Sequence, residues 1–362
     1  MLFRSLKDAP LLDYPATIQR HDRLFYVFGV LNGDDENFFG DLLFDTPVDL
    51  SLSVSSLADG GQDGLLTLAV QGFTDVPHSV SVRFNGQTIG SMSLTGAGWH
   101  HNQLTVPSAL LVEGPNTLTL IPDPAVDAIA LFDYARLTYT RQSVADGDRA
   151  EVVVPMRQLA EPLSITGFST DAIRVIDVTD PRYPIEVLGA HSTSETGHSV
   201  TVRAAEPVVE IARDHVLLAV TASNILTPEV SINTPSSWHS ESNAADMVVI
   251  THSDFAQEVA PLVLLRENQG LQVAVVDVHD LYDEFSFGEK SAHAIRSFVR
   301  RAFSQWQVAP RWVLLVGDAS YDPKNYLGFS EDFVPTKLAD SNRLETASRS
   351  EERRVGKECA TG

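Results

Sequence analysis

The chain has 362 residues, a length that favours roughly two or three domains, each with its own hydrophobic core. It carries 48 acidic and 26 basic residues, and the formal net charge of -22 disfavours nucleic acid as a partner because that ligand requires a basic surface. No run of about 18 apolar residues occurs and the N-terminus has no apolar stretch, so neither a membrane span nor a signal peptide is predicted.

Residues 1–140 are predicted to form a β-sandwich of the jelly-roll type. The stretch "SVSVRF" places Val80, Val82 and Phe84 on one face of a strand, with polar residues on the other face. Asn85 and Gly86 follow, and both tolerate the positive φ that a tight hairpin turn requires. Turn-rich segments such as "LADGGQDG" separate further alternating runs at the spacing typical of a sandwich.

Residues 141–243 are predicted to form a second, smaller β domain and a linker. Short strand-like runs such as "EVVVPM", "IRVIDVTDP" and "HVLLAVT" alternate here with proline and glycine. The polar, turn-rich segment at residues 233–246 indicates a linker or boundary loop.

Residues 244–348 change to an alternation of strands and helices. Three apolar runs, "DMVVITH", "LQVAVVDV" and "RWVLLVGD", predict buried strands. The first predicted helix has Ser253 or Asp254 as its cap and Gly270 just past its end, and Pro261 should kink it or begin a second segment. Ser291 should cap the second helix, whose apolar stripe comprises Ile295, Phe298, Val299, Ala302, Phe303 and Trp306.

The order strand, helix, strand, helix, strand predicts a parallel sheet with right-handed crossovers. Ligands of such sheets bind at the carboxyl ends of the strands. The candidate functional edge therefore comprises the loops at His252, at residues 277–288 and at residues 317–326.

Several common catalytic signatures are missing from the sequence. It contains neither a P-loop nor a Gly-x-Gly-x-x-Gly after a strand, so nucleotide binding by an α/β domain is disfavoured. His-Glu-x-x-His and Gly-x-Ser-x-Gly are also missing, which removes the motifs of zincins and of α/β-hydrolases. The 11 histidines are scattered, and for any one of them a structural or surface role is favoured.

Two acidic clusters are candidates for cation binding. Asp34, Asp35 and Asp41 could supply oxygen ligands to Ca²⁺, although their spacing matches no known calcium loop and favours an Asx-rich turn. Asp318 and Asp322 follow the third apolar strand, where they could bind a cation or a substrate group. The alternative is a loop that begins at Gly317, with Asp318 as a turn cap.

Four segments in this order carry a specific resemblance: "VVITH", "LYDEFSFGEKSAHAIRSF", "VLLVGDASYDP" and "FVPT". Together they resemble the start of the gingipain-type cysteine peptidase domain, peptidase family C25. Upstream pieces such as "ENFFGD" and "VIDVTDPRYP" resemble the β-rich N-terminal region of bacterial members. The resemblance extends over most of residues 25–345.

The resemblance implies a caspase-like α/β fold and a Cys-His dyad that cleaves peptide bonds in proteins exported to the bacterial cell surface. Its implied partner is a protein or peptide substrate. In the family the histidine lies in a His-Gly segment after a later strand, and the cysteine follows further on. No histidine of this chain precedes a glycine, so neither dyad residue is assigned and the chain itself is expected to be inactive.

Two other readings remain open. The chain could be a non-catalytic module that binds carbohydrate or another cell-surface ligand through the 1–140 sandwich. A nucleotide- or phosphate-binding α/β domain is the third reading, which the missing glycine signature disfavours.

The last stretch, residues 349–362, contains the one cysteine, Cys359. Its "RSEERRVGKEC" resembles the in-frame translation of a common sequencing-library adapter, whereas the alternative is a solvated charged tail. We therefore predict that Cys359 is not a nucleophile and that these residues make no packed contact with the α/β unit.

Overall fold

The computed structural model describes residues 10–32, 36–125, 127–195, 197–203, 213–230 and 232–338. These residues divide into two compact units. The first comprises those within Met1–Asp22 and Gly40–Glu229, and the second those within Arg23–Phe39 and Val230–Gly362. The first unit is built of strands and the second contains a parallel α/β sheet, which confirms the predicted class of β plus α/β.

Eleven strands precede residue 143 in the described part of the chain: β1 (Asp13–Arg20), β2 (Phe25–Tyr26), β3 (Phe38–Phe39), β4 (Leu42–Leu43), β5 (Val48–Val54), β6 (Gly64–Gly72), β7 (Pro77–Phe84), β8 (Gln87–Thr95), β9 (Gly98–Val106), β10 (Gly114–Pro122) and β11 (Ala130–Gln142). Nine of them form two antiparallel sheets, of order β1-β11-β6-β9 with β4 beside β11, and β5-β10-β7-β8. The short β2-β3 pair belongs to the second unit.

The two sheets share a buried core because apolar residues alternate along their strands. In β5 the pattern of burial follows every second residue, so that Leu50, Leu52 and Val54 face inward. Asn85 and Gly86 have φ of 47° and 82° and join β7 to β8, which confirms the predicted hairpin. The sandwich predicted for this region is therefore present.

The second β module of the first unit has seven strands: β12 (Arg149–Val154), β13 (Leu163–Phe168), β14 (Ile173–Asp177), β15 (Ile185–Val187), β16 (Ala190–Ser194), β17 (Gly197–Val202) and β18 (His215–Thr221). They form the antiparallel sheets β12-β18-β14-β15 and β13-β17-β16. Strand β1 contributes to both cores of the unit, since Tyr14 is buried in the second core while Ala16 packs against both.

The second unit contains the strands β19 (Met247–Thr251), β20 (Val273–Asp277) and β21 (Trp312–Val316), and the helices α1 (Ala260–Asn268), α2 (Val278–Ser286) and α3 (Ala292–Gln305). The sheet order is β20-β19-β21 and both pairings are parallel, as predicted. Val249 in the central strand pairs with Val275 on one side and Leu314 on the other. The carboxyl ends of all three strands therefore lie at one edge.

The first predicted helix is shorter in the structure. A 3-10 turn (Ser253–Phe255) precedes α1, and Pro261 lies in the first turn of that helix. Proline has no N–H to donate, which makes it compatible with a helix start and incompatible with the helix interior. Pro261 thus begins a second segment, and Gly270 lies just past the helix end with a φ of 86°.

Residues 277–288 were expected to be a loop, and this expectation was wrong because they contain α2. The Asp277 side chain accepts a hydrogen bond from the His279 N–H and so caps the helix. Leu281 and Tyr282 supply buried contacts that stabilise it. In α3 the Ser291 cap is confirmed, but Phe303 of the predicted stripe is 58% exposed because it lies beside Ala302, about 100° around the helix.

The second unit also contains two segments that lie outside its parallel sheet and before it in sequence. Within the predicted linker, the backbone N–H of Trp238 donates to Glu284 at 2.8 Å, and the Trp238 ring stacks on Trp306 with 6.2 Å between centroids. From the N-terminal part, the Tyr26 ring lies 4.7 Å from that of Tyr321. The division into modules at residues 140 and 243 stays a prediction, although residues 23–39 group with the second unit.

Candidate functional site

The candidate site is the edge where the three parallel strands end. His252 follows β19, Asp277 ends β20, and Gly317 follows β21. The in-register pairing of Thr251 with both Asp277 and Val316 brings the three loops together. The structure thus places His252 and the Asp318 loop at one edge, as the sequence predicted.

His252 is partly buried and is held by a local hydrogen bond. Its Nδ1 accepts from the Asp254 backbone N–H at 3.2 Å, which caps the 3-10 turn. In the neutral ring this fixes the proton on Nε2. The ring also packs edge-on against Phe333, with 5.1 Å between centroids.

A second imidazole lies beside His252. The ring of His279 is 4.9 Å away between centroids, and its Nδ1 lies 3.1 Å from Asp277 Oδ1. Asp277 therefore both caps α2 and orients His279. The pairing joins proton-accepting groups from two adjacent strand ends, and such an arrangement is suited to proton exchange or to binding a polar group.

A buried phenol, that of Tyr282, lies beside His279. The Tyr282 side chain is 4% exposed, its ring contacts His279 at 5.6 Å, and its hydroxyl has no hydrogen-bond partner among the described residues. Burial, together with the negative charges of Asp332 and Asp277, raises the pKa of Tyr282 far above its ordinary value. The phenol therefore keeps its proton at neutral pH.

Asp332 is one of the two carboxylates whose charge acts on this phenol. Its side chain is 2% exposed, Oδ1 accepts from the Ser320 N–H at 2.8 Å, and Oδ2 lies 3.0 Å from Lys290 Nζ. A buried carboxylate needs such a partner, because an unpaired charge is costly in the interior. Lys290 thus ties the segment after α2 to the loop that follows β21.

Asp318 acts through its backbone in this structure. Its carbonyl oxygen accepts from the N–H groups of Phe333 and Val334 at 2.9 and 3.2 Å, while its side chain is exposed. Gly317 precedes it with a φ of 141°, a conformation that favours glycine. The Asp318 carboxylate is therefore accessible at the edge, and a role in ligand binding stays a prediction.

Asp322 lies in the same loop but is almost fully buried. Oδ1 accepts from the Tyr326 N–H at 2.9 Å and Oδ2 accepts from the Leu327 N–H at 2.8 Å. These bonds account for its burial, since they satisfy backbone donors of the turn. Cation binding by Asp322 stays a prediction.

The calcium prediction concerns Asp34, Asp35 and Asp41. Asp34 and Asp35 lie outside the described residues, and Asp41 immediately precedes β4, where its carbonyl oxygen accepts from Phe132 N–H at 2.9 Å. Within the described ranges, no three His, Cys, Asp or Glu side chains are grouped as a metal site would require. Calcium binding therefore stays a prediction, and Cys359 with residues 349–362 also lies outside the described residues.

His279 and Tyr282 lie inside the predicted edge segment 277–288 but were not singled out, and Lys290 and Asp332 lie outside the predicted segments. The first two lie on α2, whose alternation of acidic and apolar residues in "VHDLYDEFS" could have indicated an amphipathic helix after a capping aspartate. Asp332 and Lys290 meet through a contact between distant segments, and no local pattern carries that information.

Comparison with known proteins decides the family of this part of the chain. Residues 240–356 match the model of peptidase family C25. This match covers about a third of the chain. The match includes β19, β20 and β21 together with the loops at their carboxyl ends. It also extends past residue 348 into the predicted adapter segment.

Solved structures extend the fold similarity beyond the C25 segment. The crystal structure of dimeric latent PorU from Porphyromonas gingivalis superposes with a TM-score of 0.68 and 16% identity, over 94% of this chain and 34% of that chain. At this identity the similarity shows the fold, and this chain spans about a third of that protein. Comparison with curated protein sequences gives no match.

Carbohydrate-binding modules are also similar to part of the chain. The CBM36-1 domain of a multidomain xylanase from the hindgut metagenome of Trinervitermes trinervoides has 15% identity and a TM-score of 0.24, over 34% of this chain and 95% of that one. A family 35 module from Clostridium thermocellum has 12% identity and a TM-score of 0.23, over 36% and 97%. Scores this low say nothing about a ligand of this chain.

Proposed function

We propose that this chain is part of a gingipain-type cysteine endopeptidase whose Cys-His dyad lies beyond its last residue. The C25 match over residues 240–356 is the observation that carries the proposal. The parallel order of β20, β19 and β21 supports it, because the caspase-like fold that we propose for the domain is built on such a sheet.

The proposed chemistry is that of a thiol protease. The histidine would take the proton of the cysteine, the thiolate would attack the scissile carbonyl, and backbone N–H groups would stabilise the oxyanion. The described residues would supply the edge beside which that dyad assembles. His252 and Asp318 are the candidates for contact with a bound peptide at this edge, since both lie on its loops and are at least partly accessible.

We further propose a protein or peptide substrate and a location outside the cell or on the bacterial surface. The peptidase family supports the substrate class. The location rests on the family resemblance alone. In the described residues no helix has the length and hydropathy needed to cross a membrane.

A peptidase assay tests the proposal. The product of the complete coding region should cleave casein in a reaction that needs a reduced thiol and is blocked by iodoacetamide. Replacement of its predicted dyad cysteine by alanine should abolish the cleavage, by about four orders of magnitude or more in kcat.

The matched control is the 362-residue chain itself, with and without Cys359→Ala. We expect no cleavage from either form. Thiol-dependent cleavage by the 362-residue chain that disappears in Cys359→Ala would show instead that the nucleophile lies within it.

A second proposed function concerns the N-terminal sandwich, for which we propose binding of carbohydrate at the cell surface. The observation that favours it is an exposed tryptophan, Trp99, that lies among polar side chains on the outer face of one sheet. Retardation of the chain in gels that contain a polysaccharide tests this role.

A further inference from the structure

The outer face of the sheet β1-β11-β6-β9 carries an unusual group of side chains. Alternate residues of β9 point away from the core, among them Trp99 and His101, and Trp99 is 49% exposed. Their rings lie 5.0 Å apart between centroids. A single exposed apolar side chain is common on protein surfaces and does not by itself indicate a site, so the evidence lies in how Trp99 is held and in what surrounds it.

A β-bulge supplies the group that holds Trp99. The pairing of β11 with β6 shifts between Phe132 and Tyr134, which leaves Asp133 as the extra residue. Bulges redirect side chains, and here Asp133 Oδ2 accepts the indole Nε1–H of Trp99 at 2.6 Å. His21 Nε2 lies 3.0 Å from the other carboxylate oxygen. The indole orientation is therefore fixed and its polar atom is already satisfied.

The neighbouring strands extend the surface. The Tyr134 ring lies 6.4 Å from that of Trp99, and the guanidinium of Arg136 lies 4.3 Å from the centre of the Tyr134 ring. Arg136 Nε donates to Gln19 Oε1 at 2.7 Å on the edge strand β1. Aromatic rings and planar polar groups thus form one connected surface across three strands, defined by Gln19, His21, Trp99, His101, Asp133, Tyr134 and Arg136.

We infer that this surface is a binding site for neutral polysaccharide, with the exposed face of Trp99 stacking on a pyranose ring. The inference rests on the carbohydrate-binding role proposed above and gives that role a location. The face of an indole carries negative electrostatic potential, which attracts the weakly positive C–H groups of a sugar ring. Arg136, Gln19 and His101 surround it with groups that hydrogen-bond to sugar hydroxyls.

The charge of the surface favours a neutral ligand. Asp133 and Arg136 offset each other, and the acidic chain as a whole repels polyanions. A protein partner would need a larger apolar area than Trp99 provides, because the buried centre of such an interface is mostly apolar. Because the tryptophan is fixed before binding, little conformational entropy is lost when it stacks.

A cavity elsewhere on the same sandwich offers a comparison. A cavity of about 570 Å³ is lined by residues that include Gln62, Ser108 and Glu113, and no aromatic side chain lines it. It lacks the flat apolar surface on which a sugar ring stacks, so it serves as the control location.

Affinity electrophoresis of the full 362-residue chain tests the inference. The gels contain hydroxyethyl cellulose, arabinoxylan or soluble starch, and at least one should retard the wild-type chain. Trp99→Ala should weaken the apparent affinity about tenfold or more, and Trp99→Phe should lose less because a ring remains. Gln62→Ala in the cavity and Tyr183→Ala, an exposed aromatic side chain of the second β module, should bind as the wild type does.

Each outcome separates the two proposals. Retardation that survives Trp99→Ala, or that is lost in Gln62→Ala, would overturn this site and leave the carbohydrate role in place. No retardation by any of the three polysaccharides would overturn both. Unchanged thermal unfolding of Trp99→Phe would show that its loss of affinity does not come from misfolding.

Discussion

At the scale of single residues, Asp177 is the clearest case of a buried charge that depends on its partners. It ends β14, its side chain is 6% exposed, and Oδ2 lies 2.6 Å from Nδ1 of the equally buried His215. Burial acts to raise the pKa of Asp177, but hydrogen bonds from Thr179 and His215 outweigh it and hold that pKa below its ordinary value. Folding therefore favours the ionised carboxylate.

The pKa direction predicts an acid-sensitive contribution to stability. Because the folded-state pKa is depressed, the contribution is complete above the unfolded pKa of about 4 and is lost as the pH falls through the folded value. Asp177→Asn should lower the unfolding free energy of the first unit by about 3 kcal/mol at pH 7. Urea unfolding at pH 7, 5 and 3 should show that the difference in unfolding free energy between wild type and variant becomes smaller as the pH falls.

Asp171→Asn is the matched control, since Asp171 lies just before the same strand and is exposed. It should change the unfolding free energy by less than about 0.5 kcal/mol at every pH. A difference for Asp177→Asn that is as large at pH 3 as at pH 7 would refute a stabilising role for the ionised Asp177 carboxylate.

At the scale of elements, the loop after β21 depends on close packing at Gly317. A Cβ added there would lie 2.9 Å from the Cβ of Phe333 and 2.9 Å from Cγ2 of Val334. Gly328, in the same loop, also has a positive φ of 79° but has open space around it. An alanine at Gly317 would therefore meet both a steric clash and an unfavourable backbone conformation, whereas an alanine at Gly328 would meet only the second.

Gly317→Ala should lower the unfolding free energy of the second unit by about 2–4 kcal/mol, because the left-handed backbone cost and the clash add. Gly328→Ala should lower it by only about 1 kcal/mol. Unfolding followed by the fluorescence of Trp238, Trp306 and Trp312, all in the second unit, measures both. Equal losses in the two variants would contradict the close packing of Phe333 and Val334 against Gly317.

The elements also show what local sequence predicts and what it does not. β19, β20 and β21 were predictable because five-residue apolar runs have few alternatives in a parallel sheet, and Ser291 carries its cap signal in its own neighbourhood. Helix α2 was missed although its capping aspartate and amphipathic spacing signal it, because it is only nine residues long and directly follows a strand with no intervening turn. Its stability comes from contacts with α3, which a local pattern does not record.

At the scale of the whole molecule, the pairing of distant segments decides the architecture. Residues 23–39 belong to the second unit through contacts such as those of Tyr26 with Tyr321 and Phe38 with Tyr326. Nothing in either segment alone predicts that pairing, since it is made across about 300 residues of chain. Asp332 and Lys290 were not predicted as site residues because they also meet across distant segments of the chain. His252 and Asp318 could be predicted, because ligands of parallel sheets bind at the carboxyl ends of the strands.

The family was predictable from the order of a few motifs, and the match over residues 240–356 confirms it. That match concerns one part of the chain, and the chain spans about a third of the PorU protein that shares its fold. The peptidase activity and the Cys-His dyad are therefore proposals, and the dyad is the part of the proposal that is most directly testable.

The most direct measurement is an independent reading of the gene beyond codon 348. We predict that the reading frame departs from the adapter-like sequence after Ser348 and continues into a segment with His-Gly, followed further on by a cysteine. A reading that reproduces residues 349–362 would contradict the adapter prediction, and one that continues without a His-Gly and a later cysteine would contradict the proposal of a cysteine peptidase.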